Sequence, residues 1–250
     1  LLRGGEAHQL TDEPLGVEAF KFAKSADRLI LFTPVIPGIA HDKQRETVAA
    51  RARNGPSARR FTQQPVRHWD HWLHENPDMA NTHVIVCAAD GTSRVDLTPE
   101  AKREFAIEPH FDISSDGNRV AVILQTPGAD RVLDSTILLI DSANHEQKRF
   151  GVETNVNNEP VCFSPDARTL ATVRSFRSPK LAMRPTLTLI DIESGKERTL
   201  ATGWDRWPHL AGWSNDGRRV IVTADDEGDT SVYTVDIMDG KVKRVTSHAI

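Results

Sequence analysis

A block of about ten residues recurs at a fixed interval, and that interval constrains the fold more than any other feature of the chain. Leu210-Ala-Gly-Trp-Ser-Asn-Asp-Gly-Arg-Arg-Val-Ile-Val222 has counterparts in Val161-Cys-Phe-Ser-Pro-Asp-Ala-Arg-Thr-Leu-Ala171 and Phe111-Asp-Ile-Ser-Ser-Asp-Gly-Asn-Arg-Val-Ala121. Asp116, Asp166 and Asp216 stand 50 residues apart in succession. A worn copy, Phe20-Lys-Phe-Ala-Lys-Ser-Ala-Asp-Arg-Leu-Ile30, places Asp27 at the aspartate position. Each copy reads as an apolar strand, a tight Ser-x-Asp-Gly turn and a return strand. Serine and aspartate side chains hold such turns by bonding nearby backbone, and glycine accepts the positive φ of the reversal. Ala167 replaces that glycine in one copy and the first copy lacks it, so both turns are expected to be built differently.

Repeats of this length filled with strands bury their faces against one another, and the four-stranded form of that architecture is the β-propeller. The expected fold is therefore all-β: about four blades of four-stranded antiparallel sheet, spanning 17–98, 105–150, 157–201 and 206–246. Closing hairpins follow from Thr186–Asp191 with Gly195–Leu200, and from Ser231–Asp236 with Gly240–Val245. Arg3–Leu10 resembles such a closing strand without its partner, so the chain reads as a propeller piece that opens and closes mid-ring. Its end blades would each leave an apolar face uncovered, so the piece on its own is expected to aggregate or to self-associate as a homo-oligomer such as a dimer. Pro109, Pro160 and Pro208 are expected just ahead of inner strands, where a missing N–H is tolerated.

The first blade is longer than the others by about 39 residues, and residues 35–80 read as an insertion. Within it, Asp42–Arg53 has helical composition and stops at Asn54-Gly55-Pro56. Insertions at a propeller rim are where function is commonly added. This one ends in Gln64-Pro-Val-Arg-His-Trp-Asp-His-Trp-Leu73.

Pro65-Val-Arg-His-Trp-Asp70 followed by Trp72, ahead of a strand in a propeller with Ser-x-Asp-Gly turns, resembles the dipeptidyl peptidase and acylaminoacyl peptidase branch of the prolyl oligopeptidase family. The resemblance implies a propeller that restricts access for peptide substrates. It also implies a C-terminal α/β-hydrolase domain, absent from this chain, that carries a Ser-Asp-His triad. No catalytic residue is expected here, because the sequence has no Gly-x-Ser-x-Gly elbow. The nearest string, Gly212-Trp-Ser-Asn-Asp216, lies in a repeat turn, which makes Ser214 a turn residue. The alternative reading is a TolB-like propeller that binds a protein partner and does no chemistry.

Arg67, His68, Trp69 and Asp70 are the candidates for substrate or interdomain contact, against the plainer reading that Trp69 and Trp72 pin the insertion to its propeller. Arg67 and Asp70 can pair across one helical turn. His68, His71 and His74 fall three apart, but no zinc spacing is present, so no metal site is expected. Trp204 and Trp207, in the loop before the last inner strand, are candidates of the same kind. Trp213 matches Phe163 and Ile113 in the repeat and reads as inter-blade core. Asp225–Asp229 reads as a solvated hairpin tip, without the ligand pattern of a calcium loop. Cys87 and Cys162 fall in strands and read as buried, inert thiols.

Composition adds exclusions. A net charge of −4 leaves no basic footprint for nucleic acid, and no apolar run is long enough to span a bilayer. Hydrophobic content of 38% and charge of 26% are those of an ordinary globular chain. Phosphate-cradling glycine patterns are absent, so no cofactor is expected. The compartment is left open.

Overall fold

The structure, a computed structural model, describes residues 6, 9–55, 67–68, 71–72, 80–101, 110–127, 133–178 and 184–246. The first sheet combines β1 (Ala19–Phe22), β2 (Arg28–Val35), β5 (Asn81–Ala88) and β6 (Val95–Asp96), in the order β1-β2-β5-β6. Between β2 and β5 lie a 3₁₀ turn (His41–Lys43), helix α1 (Gln44–Asn54) and a short ladder of β3 (Arg67–His68) with β4 (His71–Trp72). Three further sheets follow. They are β7 (Phe111–Ile113), β8 (Arg119–Pro127), β9 (Leu133–Asp141) and β10 (Gln147–Phe150); then β11 (Val156–Phe163), β12 (Thr169–Phe176), β13 (Thr186–Asp191) and β14 (Glu197–Leu200); then β15 (His209–Trp213), β16 (Arg219–Asp226), β17 (Asp229–Asp236) and β18 (Val242–Arg244). Each is an antiparallel meander in chain order. The fold is the all-β, propeller-type arrangement expected, with a helix in the first-blade insertion.

The chain divides into two compact units: residues 1–20 with 31–103, and residues 21–30 with 104–250. In the larger unit the sheets pack face to face. Ile123, Ile137 and Phe150 of one sheet meet Phe163, Leu170 and Ile190 of the next. Leu187, Leu189 and Leu200 in turn meet Val220, Val222 and Val235. Covering on both sides explains the unbroken burial of Leu170–Arg174 along β12. In β16, Val220, Val222 and Ala224 are buried while Ile221 and Thr223 are only half-buried, so that sheet buries one face fully.

The repeat turns share one construction. Ser114 Oγ donates to Asp116 (2.5 Å), Arg119 N–H donates back to Ser114 Oγ (2.9 Å), and Gly117 N–H closes on Ser114 O (2.9 Å). Ser164–Thr169 and Ser214–Arg219 repeat this set. Ala167 adopts φ 56°, close to the 73° of Gly117 and 69° of Gly217. The alanine copy is therefore built the same way, contrary to expectation, with a side chain in the left-handed region.

The first copy does differ, and its register is corrected by two residues. Ala23 N–H bonds Arg28 O (2.9 Å), just as Ser114 N–H bonds Arg119 O (2.8 Å). Arg28 thus matches Arg119, and Ser25 rather than Asp27 holds the aspartate position. The side chains agree. Arg28 donates to Gly117 O in the following turn (3.2 Å), and Arg119 donates to Ala167 O in the turn after it (3.2 Å).

Two further expectations are revised. Pro160 lies inside β11, at a register shift between Asn158 and Val161 that spares the ladder its missing N–H. Pro208 does stand immediately before β15, and Pro109 lies outside the described residues. Arg3–Leu10 falls largely outside them as well. Leu10 itself crosses the Asp90–Gly91 turn so closely that a Cβ on Gly91 would sit 1.9 Å from its carbonyl oxygen.

Candidate functional site

Of the insertion candidates, Arg67 and His68 form a strand that pairs antiparallel with His71 and Trp72, Arg67 opposite Trp72 and His68 opposite His71. Trp69, Asp70 and His74 lie outside the described residues. Among the described residues no group of three His, Cys, Asp or Glu side chains could hold a metal ion.

The start of the insertion is fastened by polar contacts that the sequence did not announce. The Gln44 side chain, buried at the head of α1, accepts from Ile36 N–H (2.8 Å) and donates to Ile36 O (3.1 Å) and Ile39 O (2.7 Å). Arg45 reaches both carboxylate oxygens of Asp12, at 2.5 and 3.2 Å. That bond lowers the Asp12 pKa and raises that of Arg45. Beside them, the buried Glu13 carboxylate accepts from Arg94 Nε (2.9 Å) and Thr33 Oγ1 (3.4 Å), and lies 3.4 Å from His41 Nε2. A buried carboxylate needs such partners, and here they come from three separate stretches of chain.

In the larger unit, Trp204 and Trp207 take different roles. The Trp204 ring packs edge-on against Tyr233, with centroids 5.0 Å apart, and belongs with the inter-blade core. Arg206 Nε and Nη2 donate to Asp226 (2.9 and 2.7 Å), and Tyr233 OH donates to the other oxygen of that carboxylate (3.2 Å). The Arg206 hydrogen bond holds the Asp226 pKa below the usual carboxylate range. Trp207 comes between this clamp and the buried Pro208, and it is 53% exposed. It is a large aromatic held outward on a fastened loop. Trp213 is half-buried against the core shared with Val220 and Tyr233, as its repeat position implied.

An unforeseen pair of charges lies on the innermost strands. Asp112, buried on β7, accepts the Phe163 N–H of β11 (2.7 Å) and pairs with Lys21 of β1 (2.6 Å). The corresponding positions carry Cys162 and Gly212. Burial, with the Asp112 carboxylate second, pushes the Cys162 thiol up to about 12, and burial raises Cys87 as well. Both shifts disfavour the reactive thiolate; Cys87 is buried as expected, whereas Cys162 is half-buried. Ser214 Oγ donates to Asp216 at 2.6 Å and is held as a turn residue.

No family model matches the chain. It is 24% identical over 270 residues to dipeptidyl-peptidase 5 of Trichophyton equinum, covering 98% of this chain and 37% of that protein. The probable dipeptidyl-peptidase 5 of Arthroderma benhamiae gives 24% over 269 residues with the same coverage. The chain thus spans little more than a third of the length of these relatives. Among solved structures, dipeptidyl peptidase 4 of Porphyromonas gingivalis superposes with a TM-score of 0.51 at 11% identity, over 91% of this chain and 32% of that one. A prolyl endopeptidase gives 0.50 at 15%, over 75% and 29%. These structures share the fold. The resemblance to the dipeptidyl peptidase branch, first carried by Pro65–Trp72, extends over nearly the whole chain.

Proposed function

We propose that this chain is the propeller region of a serine exopeptidase of dipeptidyl or acylaminoacyl type, and that it filters peptide substrates on their way to a hydrolase domain elsewhere in the protein. The observation that carries the reading is the 24% likeness to dipeptidyl-peptidase 5, continuous over 98% of the chain. The sequence supports the division of labour. It has no nucleophile elbow, its serines at the repeat positions are bound up in turns, and its thiols lie in strands, Cys87 buried and Cys162 half-buried. Selection by size needs a rigid frame more than reactive side chains. The repeated Ser-x-Asp turns and the arginines at 28 and 119 supply that kind of frame.

The exposed Trp207, on a loop clamped by Arg206 and Asp226, is the residue we assign to contact with the hydrolase domain or with substrate. The 67–72 ladder is assigned the same role within the insertion. The test is made on the full-length protein. A fluorophosphonate probe should label a single serine outside residues 1–250, and dipeptidyl or N-acyl-aminoacyl anilides should be cleaved. Trp207→Ala should change KM or domain stability without removing the labelled serine. A full-length protein that ends after further blades, with no labelled serine, would make this a binding propeller of the TolB kind instead.

A further inference from the structure

Successive sheets grip one another by repeated devices, and the last sheet carries the same devices on an exposed face. The first device is an arginine at the start of the second strand. Arg28 donates to Gly117 O and Arg119 to Ala167 O, each at 3.2 Å and each at the left-handed residue of the next repeat turn. Thr169 stands at this place in the third sheet, and an exposed Arg219 restores the arginine in the fourth. The second device is a cation on the outermost strand. Lys148, opposite Leu139, donates to Ile192 O and Glu193 O in the next sheet (2.7 and 2.9 Å). Arg198, opposite Leu189, reaches Met238 O at the matching tip (3.5 Å). Lys243, opposite Thr234, keeps that register and is exposed. The third device is an apolar residue two places further on. Phe150 pairs with Ile137 and Leu200 with Leu187, and all four are buried between sheets. Val245 N–H bonds Val232 O in the equivalent place (2.8 Å), yet Val245 is 59% exposed. Val232 and, on the same face, Ile221 are only half-buried.

We propose that this face of the last sheet, β15–β18, docks a further four-stranded sheet of the same repeat, supplied by the same polypeptide outside residues 1–250. In that contact Arg219 donates to the carbonyl at the left-handed residue of the incoming Ser-x-Asp-Gly turn. Lys243 donates to the carbonyls at the tip of its second hairpin, and Val232 and Val245 become buried. What selects this occupant is the combination of apolar and cationic groups at fixed register. Any domain with an apolar patch covers a valine, but a sheet of this repeat also sets turn carbonyls opposite both cations, as the preceding interfaces do. Polypeptide for such a sheet exists in the relatives, since this chain covers only 37% of dipeptidyl-peptidase 5 of Trichophyton equinum.

The test is made on the full-length protein by maleimide labelling. Val245→Cys should react at least about 100-fold more slowly in the native protein than in urea, as a covered side chain does. Met238→Cys, at an exposed hairpin tip, should react within about tenfold of its urea rate. Adding Arg219→Ala should speed the labelling of Val245→Cys at least about tenfold, whereas Arg218→Ala, at its exposed neighbour, should not. The photo-crosslinker p-benzoylphenylalanine, placed at position 243, identifies the occupant. Mass spectrometry should find its product within the same polypeptide, in a segment outside residues 1–250 that follows a Ser-x-Asp-Gly turn. Rapid native labelling of Val245→Cys, or an effect of Arg219→Ala no larger than that of Arg218→Ala, overturns the proposal. So does the absence of a cross-link, or a cross-link to a second copy or to a hydrolase domain. The proposal rests on the repeat and not on the peptidase reading, since a TolB-like propeller docks its sheets in the same way.

Discussion

The Phe163 N–H donates to the Asp112 carboxylate at 2.7 Å, so that one buried side chain joins the innermost strands of two successive blades. A carboxylate does here what a backbone carbonyl does within a sheet, and Lys21 balances its charge. Asp112→Ala leaves the Phe163 N–H without an acceptor and should cost about 1–3 kcal/mol. Asp112→Asn keeps an acceptor in place and should cost clearly less. Lys21 is half exposed, so Lys21→Ala should change stability by under about 1 kcal/mol. Urea unfolding of the three variants gives the order.

Ala167 holds a φ of 56°, a conformation that glycine adopts without a Cβ penalty. Ala167→Gly should therefore stabilise the protein by about 0.5–1 kcal/mol. Gly217→Ala, the reverse change at the matching turn, should destabilise it by about 1 kcal/mol. A Cβ there meets nothing closer than Pro165 at 3.7 Å, so backbone strain alone sets that cost. Denaturation midpoints that move in opposite directions bear this out.

Acid should loosen the repeat turns together. The serine hydrogen bonds hold Asp166 and Asp216 below the ordinary carboxylate range in the folded state. A depressed folded pKa means the turn contribution is complete above the unfolded value of about 3.9 and is lost as pH falls through the lower folded value. Melting temperature should thus drop below about pH 4. Asp166→Asn should flatten that acid limb and leave the neutral plateau lower.

Both thiols should be silent in the native protein. With the Cys162 thiol pushed up to about 12, the reactive thiolate is scarce there at pH 8. Ellman's reagent at that pH should react with Cys162 and Cys87 at least about 100-fold more slowly than in urea.

The fold was largely written in local chemistry. Ser, Asp and Gly at fixed offsets from one another specify a turn without help from elsewhere, and repetition every fifty residues specifies the architecture. What the sequence concealed depends on chain brought from afar. Glu13 finds Thr33, His41 and Arg94 only after folding, and Asp112 reads as an odd polar residue until β11 lies beside it. Asp27 is the only aspartate in the first repeat's turn and so points to the wrong register, whereas the matching arginine contacts put Ser25 at that place. The three-residue spacings after Arg67 suit a helical period, whereas Arg67 and His68 pair with Trp72 and His71 as a ladder, a partnership no local spacing announces. Trp204 and Trp207 were legible as a loop pair, but which of them faces solvent is decided by Tyr233 and the Arg206–Asp226 clamp.

The central claim, a propeller that filters substrates for a peptidase, is tested most directly by the length dependence of cleavage. kcat/KM of the full-length protein should be measured on unstructured peptides of increasing length sharing one N-terminus, and on a folded protein with that same N-terminus. The account predicts efficient turnover of short peptides, a steep fall with length, and no measurable cleavage of the folded protein. Equal rates across the series, or ready cleavage of the folded substrate, would contradict it.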